Sequence, residues 1–271
     1  VSRGIHAESV LLVTLDSCRF DTAERAPTPT LDSIGPRHRA MSPAHFTLAS
    51  HAAMWVGTTP GIPGLGQPVL DPKYGRLFRL ETTSVRATER DVFALEGATI
   101  IEGFRRAGYL TLGTAAVDWF DPATPAGARL SADFERFHFA RGASARQQLA
   151  WVTEQLDATR PAFVFVNLGE THVPYWHEGA AWSRDTNPCV PYAATRNDRG
   201  ECERRQTACL THVDGLLAPL VERFLDATIL VTADHADAWG EDGLWEHGVA
   251  HPIVFAVPLW ARVRGVPCTR S

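Results

Sequence analysis

Short unbroken apolar runs alternate along the chain with longer stretches in which apolar residues recur at helical spacing. Val10 to Leu15 (VLLVTL), Phe163 to Val166 and Thr228 to Val231 are rich in β-branched and aromatic residues. That is the form of strands covered on both faces, as in a parallel sheet. Tyr109 to Thr114 (YLTLGT) reads as another strand. Ala98 to Ala107 before Gly108, Ser144 to Leu156 and Glu203 to Leu225 read as helices, with Pro219 expected to kink or divide the last. The alternation predicts an α/β fold, an α/β/α sandwich around a mostly parallel central sheet, in one domain over residues 1–271. Ligands of such sheets bind beyond the carboxyl ends of the strands. Three predicted strands finish in polar residues, Asp16, Asn167 and the pair Asp234-His235, which places those residues on one edge. Gly61 to Gly75, rich in Gly and Pro, and the polar stretch Ser183 to Gly200 read as long surface loops.

Composition narrows the partners. With 271 residues and 45% hydrophobic content the chain can bury a sizeable core. A net charge of −5, with Lys and Arg scattered, leaves no basic footprint for nucleic acid. No stretch approaches the roughly 18 apolar residues of a membrane span, and the segment before Val10 lacks a charged-then-apolar signal pattern. The expectation is a cytoplasmic protein with no membrane partner. Five cysteines without CxxC spacing point to free thiols. Cys189, Cys202 and Cys209, with His177 and His212 nearby, offer a structural zinc site only as a minor alternative, since their spacing matches no common ligand pattern.

The candidate chemistry gathers in three segments. Asp16-Ser-Cys-Arg-Phe-Asp21 supplies a carboxylate at a strand end, with Arg19 and Asp21 placed to pair with each other. Thr47 to Gly57 begins with a hydroxyl and continues as a short helix, so Thr47 is a candidate helix cap. The same place suits a nucleophile, because helix N-termini offer free N–H groups to anions. In the segment from Thr232 to Gly248, Asp234 and His235 supply a hard oxygen and an imidazole nitrogen, donors that suit zinc or manganese. His212 and Asp214 read as structural or pocket-rim residues. Of the eight tryptophans, Trp176, Trp182, Trp239 and Trp245 cluster near these motifs, and core packing accounts for most of them.

LLVTLDSCRFD, FTLASHAAMWVGTTPG and ILVTADHADAWGEDGLW followed by VPLW, in that order, resemble the sulfatase branch of the alkaline phosphatase superfamily, in particular its short bacterial sulfatase-like metalloenzymes. By that resemblance, counting back from Gly57 puts the nucleophile at Thr47, and Asp16, Thr47, Asp234 and His235 form one metal site. Zinc is implied, with manganese as the alternative, as one or two ions. Ser50, His51 and Glu170 fall around the substrate, and Glu170-Thr-His172-Val-Pro174 is similar to the family's His-x-Pro motif, in which the histidine faces the substrate. His172 and His247 are the implied helpers of the leaving group, and His251, with His172 or Glu170, is the implied holder of a second ion. The sequence departs from the family pattern in having Ala236 for Gly, His51 for Arg and Ser17 for a second metal-binding Asp. The resemblance implies a metal-dependent hydrolase acting on a small-molecule phosphate or phosphonate ester, as a phosphomonoesterase or phosphodiesterase. A sulfate ester hydrolase, a phosphoryl transferase and a catalytically inactive metal-binding protein are the alternatives.

Overall fold

The computed structural model describes residues 5–57, 78–79, 94–95, 97–142, 144–191 and 194–266. The expected loop Gly61 to Gly75, and Cys268, lie outside the described residues. The strands are β1 (Val10–Leu15), β2 (Arg37–Met41), β3 (Phe78–Arg79), β4 (Ala94–Leu95), β5 (Leu110–Ala115), β6 (Arg136–Phe139), β7 (Ala162–Leu168), β8 (Thr228–Thr232), β9 (Ala238–Trp239), β10 (Trp245–Glu246) and β11 (Ala256–Arg262). The helices are α1 (Phe20–Arg25), α2 (Pro29–Ile34), α3 (Thr47–Val56), α4 (Ile100–Arg106), α5 (Pro125–Ser131), α6 (Ala145–Gln155), α7 (Arg199–Arg223) and α8 (Pro252–Phe255).

Seven strands form the central sheet in the order β2-β11-β8-β1-β7-β5-β6. All neighbours run parallel except β11, which is antiparallel to both β8 and β2. The mostly parallel sheet expected from the apolar runs is therefore present. Alternation along the central strands serves two cores. Leu11, Val13, Leu15, Val164 and Val166 face an aliphatic layer completed by α1, α2, α6 and α7. Val10, Leu12, Phe163 and Phe165 face an aromatic layer with Trp55 of α3, Ile101 of α4 and Leu130 of α5. Each fully buried side chain of this size stabilises the fold by about 1.5–3 kcal/mol, which is why strands as short as β1 hold a fixed register.

Helix α7 is not divided at its proline. It runs unbroken from Arg199 to Arg223 with Pro219 inside it. Leu217, Leu220 and Val221, buried on either side of the proline, belong to the aliphatic core, and their packing outweighs the roughly 3 kcal/mol cost of an interior proline. Strands β2, β6 and β11 are not evident in the sequence pattern. β2 and β6 lie at the two edges of the sheet and are mostly half-exposed, while β11 carries Pro258 and follows directly on α8.

This topology fixes the site. β8, β1 and β7 are adjacent and parallel, so their carboxyl ends deliver Asp234-His235, Asp16 and Asn167 to one place.

Candidate active site

Asp16 directly follows β1 and is fully buried. Asn167 Nδ2 donates to its Oδ2 at 3.1 Å, and Ser17 Oγ donates to its Oδ1 at 3.3 Å. Ser17 has φ +60, a left-handed conformation that costs energy for a residue with a side chain and often marks functional turns. That turn aims the Ser17 N–H at Asp234 Oδ1, 3.2 Å away. Gln206 of α7 steadies the same turn by donating to the carbonyls of Ser17 and Thr171, 2.9 Å each.

Asp234 and His235 are buried beside Asp16. His235 Nδ1 faces the carbonyl of Ala236 at 3.2 Å, so that nitrogen carries the proton and Nε2 keeps its lone pair. Nε2 lies 3.5 Å from Asp234 Oδ2, 3.8 Å from Asp16 Oδ1 and 3.3 Å from Thr47 Oγ1. Burial, then the neighbouring His247, pushes the His235 pKa well below the ordinary value, so its ring is neutral. Burial, then the charge of Asp16, pushes Asp234 well above the carboxylate range. Asp234 Oδ2 is buried without a hydrogen-bond partner.

Such a donor set fits a divalent cation. Two adjacent buried carboxylates repel each other and are costly unless a positive charge offsets them. The ligand atoms of Asp16, Asp234 and His235 lie within 4.8 Å of one another, and Thr47 Oγ1 stands beside them. Oxygen and imidazole donors in this number suit zinc or manganese.

Thr47 is the first residue of α3 rather than its cap. The cap position, with extended backbone, is Phe46, and no side chain caps the helix. The capping expected from sequence is therefore replaced by the approach to His235. Gly57, at φ +67, closes the helix with its N–H on the carbonyl of Ala53. His51, one turn into α3, is fully buried, with Nδ1 on the Thr47 carbonyl at 2.8 Å and Nε2 on Thr14 Oγ1 at 3.1 Å. Its ring packs edge-on against Trp55, Phe120 and Phe165. Both nitrogens of His51 are thus satisfied inside the protein, and the ring supports Thr47 from below. Ser50 Oγ is buried without a partner.

A second group adjoins the first. The rings of His235 and His247 are 4.4 Å apart and those of His172 and His247 are 5.1 Å apart, by centroids. His172 Nε2 lies 4.0 Å from Asp16 Oδ1. His247 Nδ1 bonds to Asp237 Oδ1 at 2.8 Å. Burial lowers the His247 pKa, but the bond to Asp237 more than offsets it and holds the value at about 9. His235, Asp237 and His247 form a second cluster of ligand-type atoms. His172 also lines a cleft of about 280 Å³ walled by Trp119, Trp176, Pro174 and Arg184.

The structure thus brings Asp16, Thr47, Asp234, His235, His172 and His247 together. Other expected residues sit differently. Glu170 Oε1 accepts the N–H of Ala145 at 2.6 Å, anchoring the start of α6, and the residue belongs to neither cluster. His251 is likewise outside both, with Nε2 on Asp242 at 3.2 Å and Nδ1 accepting from the Ile253 N–H at 3.2 Å. Arg19 and Asp21 pair through two 2.7 Å bonds, as expected. Asp214 holds the N–H groups of Thr30 and Leu31 in α2, and His212 stacks on His177. Cys189, Cys202 and Cys209 are buried free thiols packed with Tyr175 and Trp239. Among the described residues no ligand cluster includes a cysteine. Asn167 and Asp237 hydrogen-bond to residues of this group, Gln206 bonds to the Ser17 carbonyl, and Tyr175 bonds to Asp237. Of these, only Asn167 had a sequence signal, its position at a strand end.

Among the described residues no helix is long and apolar enough to cross a membrane. No family model and no curated protein matches the sequence. In structure the chain is similar to the C-terminal periplasmic domain of phosphoethanolamine transferase EptC from Campylobacter jejuni, at 13% identity and TM-score 0.61, covering 96% of this chain and 81% of that one. A protein in the alkaline phosphatase superfamily from Vibrio parahaemolyticus matches at 14% identity and TM-score 0.57, covering 98% and 62%. The phosphonate monoester hydrolase of Agrobacterium radiobacter matches at 17% identity and TM-score 0.56, covering 94% and 68%. The chain has the alkaline phosphatase-like fold these proteins share. One of them is a periplasmic domain, and nothing in these likenesses supports the cytoplasmic location expected from sequence.

Proposed function

With the alkaline phosphatase-like fold as premise, we propose that the chain transfers a phosphoryl or phosphonyl group from a small anionic ester to Thr47 and then to water. The observation that carries this reading is the Thr47 hydroxyl, 3.3 Å from His235 Nε2 and next to two buried carboxylates, one with an unpartnered oxygen. Asp16, Asp234, His235 and Thr47 would hold a divalent ion, zinc by its donor preference. When bound, the ion offsets charge on the ester oxygens and lowers the pKa of the neighbouring hydroxyl.

The protein's own groups supply the rest. Thr47 loses its proton to solvent and its Oγ bonds to phosphorus as the bond to the leaving oxygen breaks. The N-terminal N–H groups of the ten-residue helix α3 face the added charge. His247, whose pKa is raised by Asp237, would protonate the departing oxygen, with His172 beside it to bind the ester. Water then attacks phospho-Thr47, releasing phosphate or phosphonate and restoring the hydroxyl. The cleft beside His172 receives the organic part of the ester.

Threonine at this position favours phosphorus over sulfur. Sulfatases oxidise a Cys or Ser there to an aldehyde, and the β-methyl group of threonine would give a ketone instead. A second reading, transfer of the phosphoryl group to an acceptor other than water, is favoured by the likeness to a phosphoethanolamine transferase domain. A screen of zinc-loaded protein against phosphate monoesters, diesters, phosphonate esters and aryl sulfates tests both. Release of inorganic phosphate or phosphonate supports hydrolysis, and turnover only with an added alcohol acceptor supports transfer. Preference for aryl sulfates would refute the phosphorus reading.

A further inference from the structure

Asp237 follows the Asp234-His235 pair by two residues and is fully buried, and both its oxygens are already engaged. Oδ1 accepts from His247 Nδ1 at 2.8 Å, and Oδ2 accepts from the Tyr175 hydroxyl at 2.7 Å. That hydroxyl in turn accepts from Trp239 Nε1 at 2.9 Å, and Arg19 Nη1 donates to the Asp237 carbonyl at 3.0 Å. Arg19 itself is locked between Asp21 and Glu241 and lies over the Trp239 ring, 4.2 Å from its centroid. Trp239, Tyr175 and Asp237 thus form a chain of donors and acceptors, each buried, that ends on one nitrogen of His247. A carboxylate held this way is committed to its donors. His235, Asp237 and His247 are then better explained as an acid–imidazole pair beside a metal ligand than as a second ion's cage.

We propose that Asp237 is a positioning residue for His247. Anchored by Tyr175 and Trp239, it takes the Nδ1–H and leaves Nε2 as the nitrogen that meets the group in transfer. Without Asp237, the His247 ring is free to turn between its two rotamers, and the leaving oxygen loses a fixed partner. The catalytic consequence rests on the proposed phosphoryl transfer, whereas the hydrogen bond itself does not.

Two measurements separate these. In protein labelled with ¹⁵N at histidine, His247→Gln identifies the His247 signals. The wild type should show a protected, downfield Nδ1–H for this residue that Asp237→Asn abolishes and Tyr175→Phe shifts. An unchanged His247 Nδ1–H in folded Asp237→Asn would overturn the proposal, whatever the protein does to esters. The second measurement compares turnover of 4-nitrophenyl phosphate, whose leaving group needs no proton, with that of an alkyl phosphate, whose leaving group does. Asp237→Asn should slow the alkyl ester about 10–100-fold and the nitrophenyl ester less than about 3-fold, with KM for both near wild type. Equal loss on both esters, or loss of one equivalent of bound zinc, would show a structural or ligand role instead. If Asp237→Asn does not fold, Tyr175→Phe carries both tests, with a smaller shift in the same direction. If the wild type turns over no phosphorus ester, the function reading fails and the spectroscopic result still decides the bond.

Discussion

The two halves of the site differ in how their polar atoms are partnered. On one side Asp16, Asp234 and His235 are buried acceptors facing one another, with Asp234 Oδ2 unpartnered and its carboxyl pushed above the usual range by burial and by Asp16. On the other, Asp237 and His247 are satisfied by each other, and the bond raises the His247 pKa to about 9. The first half has the donors to hold a cation. The second half offers one. A phosphoryl group lying between them would meet a metal on the first side and a protonated imidazole on the second, with Thr47 at the boundary. Neither half alone accounts for transfer chemistry, and the difference predicts which substitutions act on metal, which on turnover and which on stability alone.

The largest effect is expected at that boundary. Thr47→Ala should lower turnover of phosphorus esters by about four orders of magnitude or more, while Thr47→Ser keeps part of it. Because Thr47 does not cap α3, thermal unfolding of metal-free Thr47→Ala should match the wild type, which separates chemistry from folding.

On the carboxylate side, Asp234→Asn should weaken zinc binding at least about 100-fold in calorimetric titration. The metal-free variant should melt higher than metal-free wild type, since the substitution removes a like charge that Asp16 opposes. A lower melting temperature would mean that the two carboxylates do not repel in the resting protein.

On the imidazole side, His247→Gln or His172→Ala should cost about 100-fold in kcat on alkyl esters and leave zinc stoichiometry unchanged. Loss of zinc in either variant would erase the distinction between the two halves.

The smallest effect concerns His51, which burial pushes down to about 4 from 6.5. Above pH 6.5 His51 is neutral in both folded and unfolded chains. Between pH 6.5 and about 4 the unfolded chain takes up a proton that the folded one refuses, so stability falls as pH falls. Denaturant titrations of metal-free protein should show it, and His51→Gln should flatten that part of the profile.

Much of this was legible in the sequence, for identifiable reasons. The runs that became β1, β7 and β8 are apolar on both faces because helices cover both faces, so each strand end and its polar residue stood out. Asp16, Asp234 and His235 could be brought together because parallel neighbours share an edge, whereas Thr47, on helix α3, was joined to them only by the resemblance of its segment to the sulfatase nucleophile motif. What stayed hidden depends on contacts between distant segments. Gln206 reaches Ser17 from helix α7, and Tyr175 reaches Asp237 from the loop after β7, and neither follows any local pattern. The β11 strand was obscured by Pro258, whose residue pairs with Arg39 of the edge strand β2.

The central claim is that Thr47 carries the phosphoryl group, and trapping that adduct tests it most directly. Zinc-loaded wild type would be mixed with a reactive phosphate monoester, quenched in acid within its turnover time, digested and read by mass spectrometry. One phosphoryl group on Thr47, present in wild type and missing from Thr47→Ala, is the predicted result. Turnover with no phosphate on Thr47 at any quench time, or with phosphate on another side chain, would contradict it.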